Sequence, residues 1–273
     1  MRQFTRHCVR IAAVIGFAIA TLFAAGIPAS AAPAYTALGD SYSSGTGTRT
    51  YYSDGTSCQR SPYAYPVIDA QRLGAALSFA ACAGARVADV QNNQLGTLNA
   101  STTYVTVSAG GNDAGFSSVI SACARPWPYT CWTEISNANA FIRNTLPARL
   151  DGLYAAIRSR APAARVVVVG YPRIFNGEEC NVASRISPGE QAELNRTADL
   201  LATTIGGRAA AHGFPFADVR GVFTGHAVCD DVEWINGLSY PVSESYHPNR
   251  AGHASGYAGV VESALRGTTA SAA

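Results

Sequence analysis

Four positions carry the chemistry this chain could perform. Ser41 stands in Ala-Leu-Gly-Asp-Ser-Tyr-Ser-Ser-Gly, residues 37–45, where an apolar run stops at a glycine and a hydroxyl follows. A serine there is either a helix cap or a nucleophile. Gly84 lies in Ala-Cys-Ala-Gly-Ala, residues 81–85, and Asn112 in Ser-Ala-Gly-Gly-Asn-Asp-Ala-Gly-Phe, residues 108–116. His247 lies in Ser-Tyr-His-Pro-Asn, residues 245–249, held out of helical geometry by the proline after it. Taken singly, each has an ordinary reading: a cap, a turn glycine, an Asx bond, a surface histidine. Together they match acyl transfer. A serine attacks a carbonyl carbon, a histidine takes and returns its proton, and pre-placed donors meet the negative oxygen. The candidate donors are the N–H groups of Ser41 and Gly84 and the side-chain amide of Asn112. Asp40 and Asp113 are expected to organise turns. His212, His226 and His253 are expected to stand outside the chemistry.

Such a set works only if the fold gathers it. Three continuous apolar runs, 34–38, 104–109 and 165–169, read as strands covered on both faces. Shorter candidates lie near 77–80 and 216–219. Helical patterns fall between them at 63–73 and at 132–160, with Pro147 bending or splitting the second. A further helix should start at Ser187-Pro188-Gly189-Glu190, a capping box, and run to about Ala211. The last should span Asn249 to about Leu265. This alternation predicts an α/β/α three-layer sandwich on a mostly parallel sheet, with sites beyond the carboxyl ends of the strands. Ser41, Gly84 and Asn112 all follow such ends.

The chain has 273 residues, 48% hydrophobic and 14% charged, enough apolar material for one core. Arg2, Arg6 and Arg10 precede an apolar run, 11–27, that ends at Pro-Ala-Ser-Ala. These features describe a secretory signal peptide over residues 1–31, cut after Ala31 or Ala32. The formal charge of +2 comes from 20 basic and 18 acidic residues, every basic one an arginine. With the three leader arginines gone the balance is 17 against 18, about −1. No basic field remains to attract nucleic acid or anionic membranes. Six cysteines remain after Cys8 leaves with the leader, an even number that suits disulfides in an exported protein. Several connectivities are open; pairing in order is expected, Cys58–Cys82, Cys123–Cys131 and Cys180–Cys229. Zinc is disfavoured: no C-x-x-C occurs, and His226 with Cys229 has no second half.

The order Gly-Asp-Ser, Gly, Gly-Asn-Asp and His-Pro resembles the GDSL, or SGNH, hydrolase superfamily over nearly the whole mature chain. The six-cysteine layout is similar to its secreted actinobacterial lipases, esterases and phospholipases A1. The resemblance implies a flavodoxin-like fold and metal-free, cofactor-free hydrolysis of carboxylic esters. It implies Ser41 as nucleophile, His247 as base, and Ser41, Gly84 and Asn112 as oxyanion donors. The G-x-S-x-G elbow of the rival α/β-hydrolase fold is absent. The superfamily usually carries aspartate three residues before its histidine; Glu244 stands there instead. Either Glu244 or the backbone carbonyl of Ser245 should orient the imidazole, the carbonyl being favoured.

The expectation is therefore a single hydrolase domain over residues 32–267 with a short tail at 268–273. It should be a secreted, extracellular monomer acting on small-molecule or lipid esters through an acyl-enzyme, without a stable membrane anchor. Tyr42, Tyr51, Tyr52, Phe116, Trp127, Pro128 and Tyr129 could line an acyl groove or be ordinary core and rim aromatics. Rival readings are a polysaccharide acetylesterase and a non-catalytic carbohydrate-binding module on the same scaffold.

Overall fold

The computed structural model describes residues 31–126, 128–180 and 185–268. The expected leader, and the tail beyond residue 268, lie outside the described residues. Five strands form one parallel sheet: β1 (Ala34–Gly39), β2 (Ala76–Phe79), β3 (Thr102–Ser108), β4 (Arg165–Val169) and β5 (Phe216–Ala217), in the order β2-β1-β3-β4-β5. The central runs are apolar because both their faces are covered. Val166 to Val169 are all buried, as are Tyr35, Ala37, Leu38, Val105 and Val107. A fully buried aliphatic side chain of this kind contributes about 1.5–3 kcal/mol. Edge strand β2 alternates exposed and half-buried residues, which explains its weaker sequence signal.

Among the described residues, eight α-helices flank the sheet: α1 (Ser41–Ser44), α2 (Tyr65–Leu73), α3 (Val87–Asp89), α4 (Phe116–Cys123), α5 (Trp132–Asn144), α6 (Leu146–Arg160), α7 (Pro188–Ala211) and α8 (Ala258–Arg266). α2 packs on α8, and α4 to α7 pack on one another. The expected helix over 132–160 divides at Thr145, because Pro147 falls in the first turn of α6, where its missing N–H is harmless. α7 opens on the expected capping box, Ser187 with Glu190, and stops at His212. The last helix departs from expectation: a π-helical turn, Gly252–Tyr257, precedes α8. There Gly252 packs onto the Trp234 carbonyl with no room for a Cβ. α1, α3 and α4 were not anticipated; they are short or follow directly on turns. Among the described residues, no helix is long and apolar enough to cross a membrane.

Register places the site. Gly39 of β1 lies opposite Ser108 of β3, and Val107 opposite Val168 of β4. The strand ends are therefore level, and the loops after β1, β3 and β4 emerge along one edge. The loop after β2 is drawn up to the same edge by Cys82 N–H, which donates to the Gly39 carbonyl at 3.0 Å. Three disulfides pin the loops, in the expected order: Cys58–Cys82, Cys123–Cys131 and Cys180–Cys229.

Candidate active site

β1 ends where Gly39 takes φ +131° and lies so close to β3 that a Cβ there would stand 2.6 Å from the Ser108 carbonyl oxygen. Only glycine fits such a backbone comfortably. The chain then turns into α1, whose N-cap is Asp40 and not Ser41: the Asp40 carboxylate accepts from Tyr42 N–H at 3.1 Å. Ser41 is therefore not the cap of α1. Ser41 is the first residue of the helix, and its hydroxyl is left for another partner.

That partner is His247, across 206 positions of sequence. Ser41 Oγ lies 2.8 Å from His247 Nε2, and the ring's Nδ1 lies 2.9 Å from the Ser245 carbonyl oxygen. A carbonyl only accepts, so Nδ1 carries the proton and Nε2 is the lone-pair nitrogen facing the serine. Burial pushes the imidazole pKa down to about 4, against the raising effect of the Ser245 carbonyl. The ring is thus neutral at pH 7 and able to accept the serine proton. Glu244, the other expected orienting group, points elsewhere. Its carboxylate accepts from Tyr51 OH at 2.7 Å and lies 2.9 Å from Arg49 Nε. Glu244 instead ties its segment to the loop after α1, and the Ser245 carbonyl takes the ring.

The His247 loop is itself braced. Asn236 N–H donates to the His247 carbonyl and Tyr246 N–H to the Asn236 carbonyl, both at 2.9 Å. Tyr42 OH donates to the Tyr246 carbonyl at 2.8 Å, tying this loop to the residue after the serine.

The candidate oxyanion donors gather around the same edge. Asn112 uses one amide hydrogen on the Ala85 carbonyl, at 3.0 Å, which orients its side chain and leaves the second hydrogen available. Gly84 adopts φ +79° in the loop held by Cys82 at one end and by the Ala85–Asn112 bond at the other. Among the described residues, no protein acceptor takes the N–H of Ser41 or of Gly84. Asp113 does not organise its own turn as expected: it accepts from Val87 N–H at 2.8 Å at the start of α3 and pairs with Arg149 of α6 at 3.1 Å.

Behind the serine lies a network that the sequence did not disclose. The buried Asp40 carboxylate accepts from Tyr171 OH at 2.5 Å and from Ser108 Oγ at 2.8 Å. Tyr171 OH in turn accepts from Gly111 N–H at 3.4 Å, next to Asn112. Ser43 Oγ bridges Ser108 Oγ at 2.8 Å and Tyr65 OH at 2.7 Å. Burial raises the Asp40 pKa to about 6, opposed by these hydrogen bonds. Gln94 clasps the end of β1, donating to the Gly39 carbonyl at 2.9 Å and accepting its N–H at 2.7 Å. The one available signal was position: Ser108 and Tyr171 stand at the carboxyl ends of β3 and β4.

Beside Ser41 opens a cavity between α4, α5 and α7. Its walls are mostly aliphatic and aromatic: Phe116 and Ile120 of α4, Ala138 and Ile142 of α5, Leu194 and Leu201 of α7. Of the aromatics suspected of lining an acyl groove, Tyr42 and Phe116 do so. Tyr51 is bound to Glu244, Tyr52 and Tyr129 are exposed, and Pro128 lies outside the cavity wall. Trp127 falls outside the described residues. The other histidines are engaged away from the serine: His212 on Asp151 at 3.0 Å, His226 on the Val232 carbonyl, and His253 on Tyr65 N–H.

The profile of the GDSL-like Lipase/Acylhydrolase family matches residues 37–255. A lipase of Streptomyces rimosus is 41% identical over 268 residues, 96% of this chain and 99% of that protein. Lipase 1 of Streptomyces coelicolor is 43% identical over 86% of this chain and 88% of its own length. The crystal structure of phospholipase A1 from Streptomyces albidoflavus superposes with a TM-score of 0.81 at 43% identity, covering 85% of this chain and 99% of that one.

Proposed function

The chain belongs to the GDSL-like lipase/acylhydrolase family and is a carboxylic ester hydrolase; from that premise we propose that it cleaves acyl esters of lipids with Ser41 as nucleophile and His247 as base. Ser41 attacks the ester carbonyl as its proton moves to His247 Nε2. The tetrahedral oxyanion sits among the N–H groups of Ser41 and Gly84 and the amide of Asn112. His247 then returns the proton to the leaving alcohol, and water repeats the sequence on the acyl-enzyme. The Ser245 carbonyl fixes the ring's tautomer in place of a carboxylate.

The single observation that carries this reading is the 2.8 Å contact between Ser41 Oγ and His247 Nε2 at the wall of an apolar cavity. That cavity suits an acyl chain better than the acetyl group of a sugar, whose polar ring would find few partners there. The leader-like segment, three disulfides and an extracellular lipase among the similar structures support export. The test is a panel of nitrophenyl esters from acetyl to palmitoyl, beside phosphatidylcholine and acetyl-xylan. Turnover of acyl esters beyond acetyl, and of phosphatidylcholine, is expected. A rate confined to acetylated sugar would overturn the lipid assignment.

A further inference from the structure

Three to seven residues before the carbonyl that orients His247, the chain displays apolar side chains to water. In the segment Leu-Ser-Tyr-Pro-Val, residues 238–242, Tyr240 is 89% and Val242 68% exposed, and Leu238 is exposed as well. Scattered exposed apolar residues are ordinary, but a cluster beside a site marks a partner. This cluster is not slack chain. Arg49 donates to the Tyr240 carbonyl and lies on Glu244, and Ser239 N–H donates to Ser245 Oγ at 3.0 Å. The backbone is therefore held while its side chains stand free.

At its Leu238 end the strip adjoins the wall of the catalytic cavity through Phe175. Leu238 lines a shallow recess with Phe175 and Tyr246, and Phe175 lines the cavity beside Ser41. The recess is edged by acids, Glu178 and Glu179, with Asp231 exposed nearby in sequence to Cys229. Arg49, the basic residue at the strip, is occupied by Glu244. Such a face has no attraction for an anionic surface. Aromatic and aliphatic side chains on an anchored loop are instead the chemistry of a neutral lipid–water boundary.

We propose that Leu238, Tyr240 and Val242 form a docking surface that enters a neutral or zwitterionic lipid surface, presenting the cavity mouth to esters held in the aggregate. The proposal rests on the lipid-ester reading above. Docking is apolar, so it is insensitive to salt and gains nothing from anionic lipid.

The test uses Ser41→Ala protein, which binds without consuming substrate, in flotation with phosphatidylcholine vesicles. The parent should float with the vesicles at low and at high salt, and equally with phosphatidylglycerol added. Tyr240→Ser with Val242→Ser should weaken partitioning about tenfold or more. Placed in the active enzyme, the same pair should slow vesicle hydrolysis while leaving turnover of dissolved nitrophenyl butyrate and the thermal midpoint unchanged. Equal partitioning by parent and variant would overturn the proposal. So would a parent that stays unbound, binding that requires anionic lipid and disappears in salt, or a change in sedimentation showing that the strip joins two copies. If the active enzyme cleaves butyrate ester and micellar phosphatidylcholine yet never floats, docking fails and the lipid-ester reading stands. If it cleaves neither, that reading fails first.

Discussion

At the scale of single residues, the hydrogen bonds assign distinct consequences to each change. Ser41→Ala should lower kcat by at least about 10⁴-fold, because the residual rate then comes from binding and oxyanion donors alone. Asn112→Ala should cost about 10²- to 10³-fold in kcat with KM little changed, since its amide is placed for charge that appears only in the transition state. Steady-state kinetics on a soluble ester separates the two; a loss carried by KM would remove Asn112 from the oxyanion site. The pH profile carries a further expectation. His247 must be neutral to act, and burial lowers its pKa to about 4. The acid limb of kcat/KM should therefore fall below the ordinary imidazole range, toward pH 4. A limb at or above 6.5 would contradict a buried, carbonyl-oriented ring. That Ser41, Gly84, Asn112 and His247 come together was legible in sequence because each block pairs a chemical group with a turn former. Tyr171 and Ser108 were not: a lone tyrosine or serine after a strand says nothing until the strand register sets it against Asp40. Tyr171→Phe should accordingly lower kcat more than it raises KM, by loosening Asp40 and the Gly111–Asn112 turn together.

Among elements, α2 and α8 hold a group at odds with its surroundings. Asp69 is fully buried, neither of its carboxylate oxygens has a partner among the described residues, and burial raises its pKa to about 9. It is protonated in the folded protein at pH 7 but ionised in the unfolded chain above about pH 4. Its folded-state pKa lies above its unfolded value, so the stability it contributes is whole below about pH 4 and is lost progressively up to about 9. Asp69→Asn should flatten that decline and raise the thermal midpoint at pH 8 relative to the parent. A midpoint that drops equally at pH 4 and pH 8 would instead show a needed carboxyl contact. The central strands were legible as continuous apolar runs, and α7 from its capping box. α1 and α3 are too short for periodicity to register, α4 follows directly on a turn, and no local pattern encodes the π-helical turn before α8, where Gly252 packs on the Trp234 carbonyl.

For the whole molecule, the fold is a level row of strand ends with loops cross-linked above it. The disulfides close 24, 8 and 49 residues of sequence. In the chain-entropy account a longer closed loop stabilises more, so losing Cys180–Cys229 should cost about 1–2 kcal/mol more than losing Cys123–Cys131. Paired Cys→Ser variants in chemical denaturation check the order; equal losses would point to local strain or packing instead. The in-order pairing was an expectation of proximity in sequence, and the fold supplies its reason: each bond joins loops on the same edge of the sheet or ends of adjoining helices. The central claim is that residues 41, 84, 112 and 247, far apart along the chain, act as one centre. Covalent labelling tests it most directly. Incubation with a fluorophosphonate, followed by peptide mass mapping, should place a single adduct on Ser41, abolished in Ser41→Ala and slowed by orders of magnitude in His247→Ala. An adduct on another residue, or full labelling of Ser41 without His247, would contradict it.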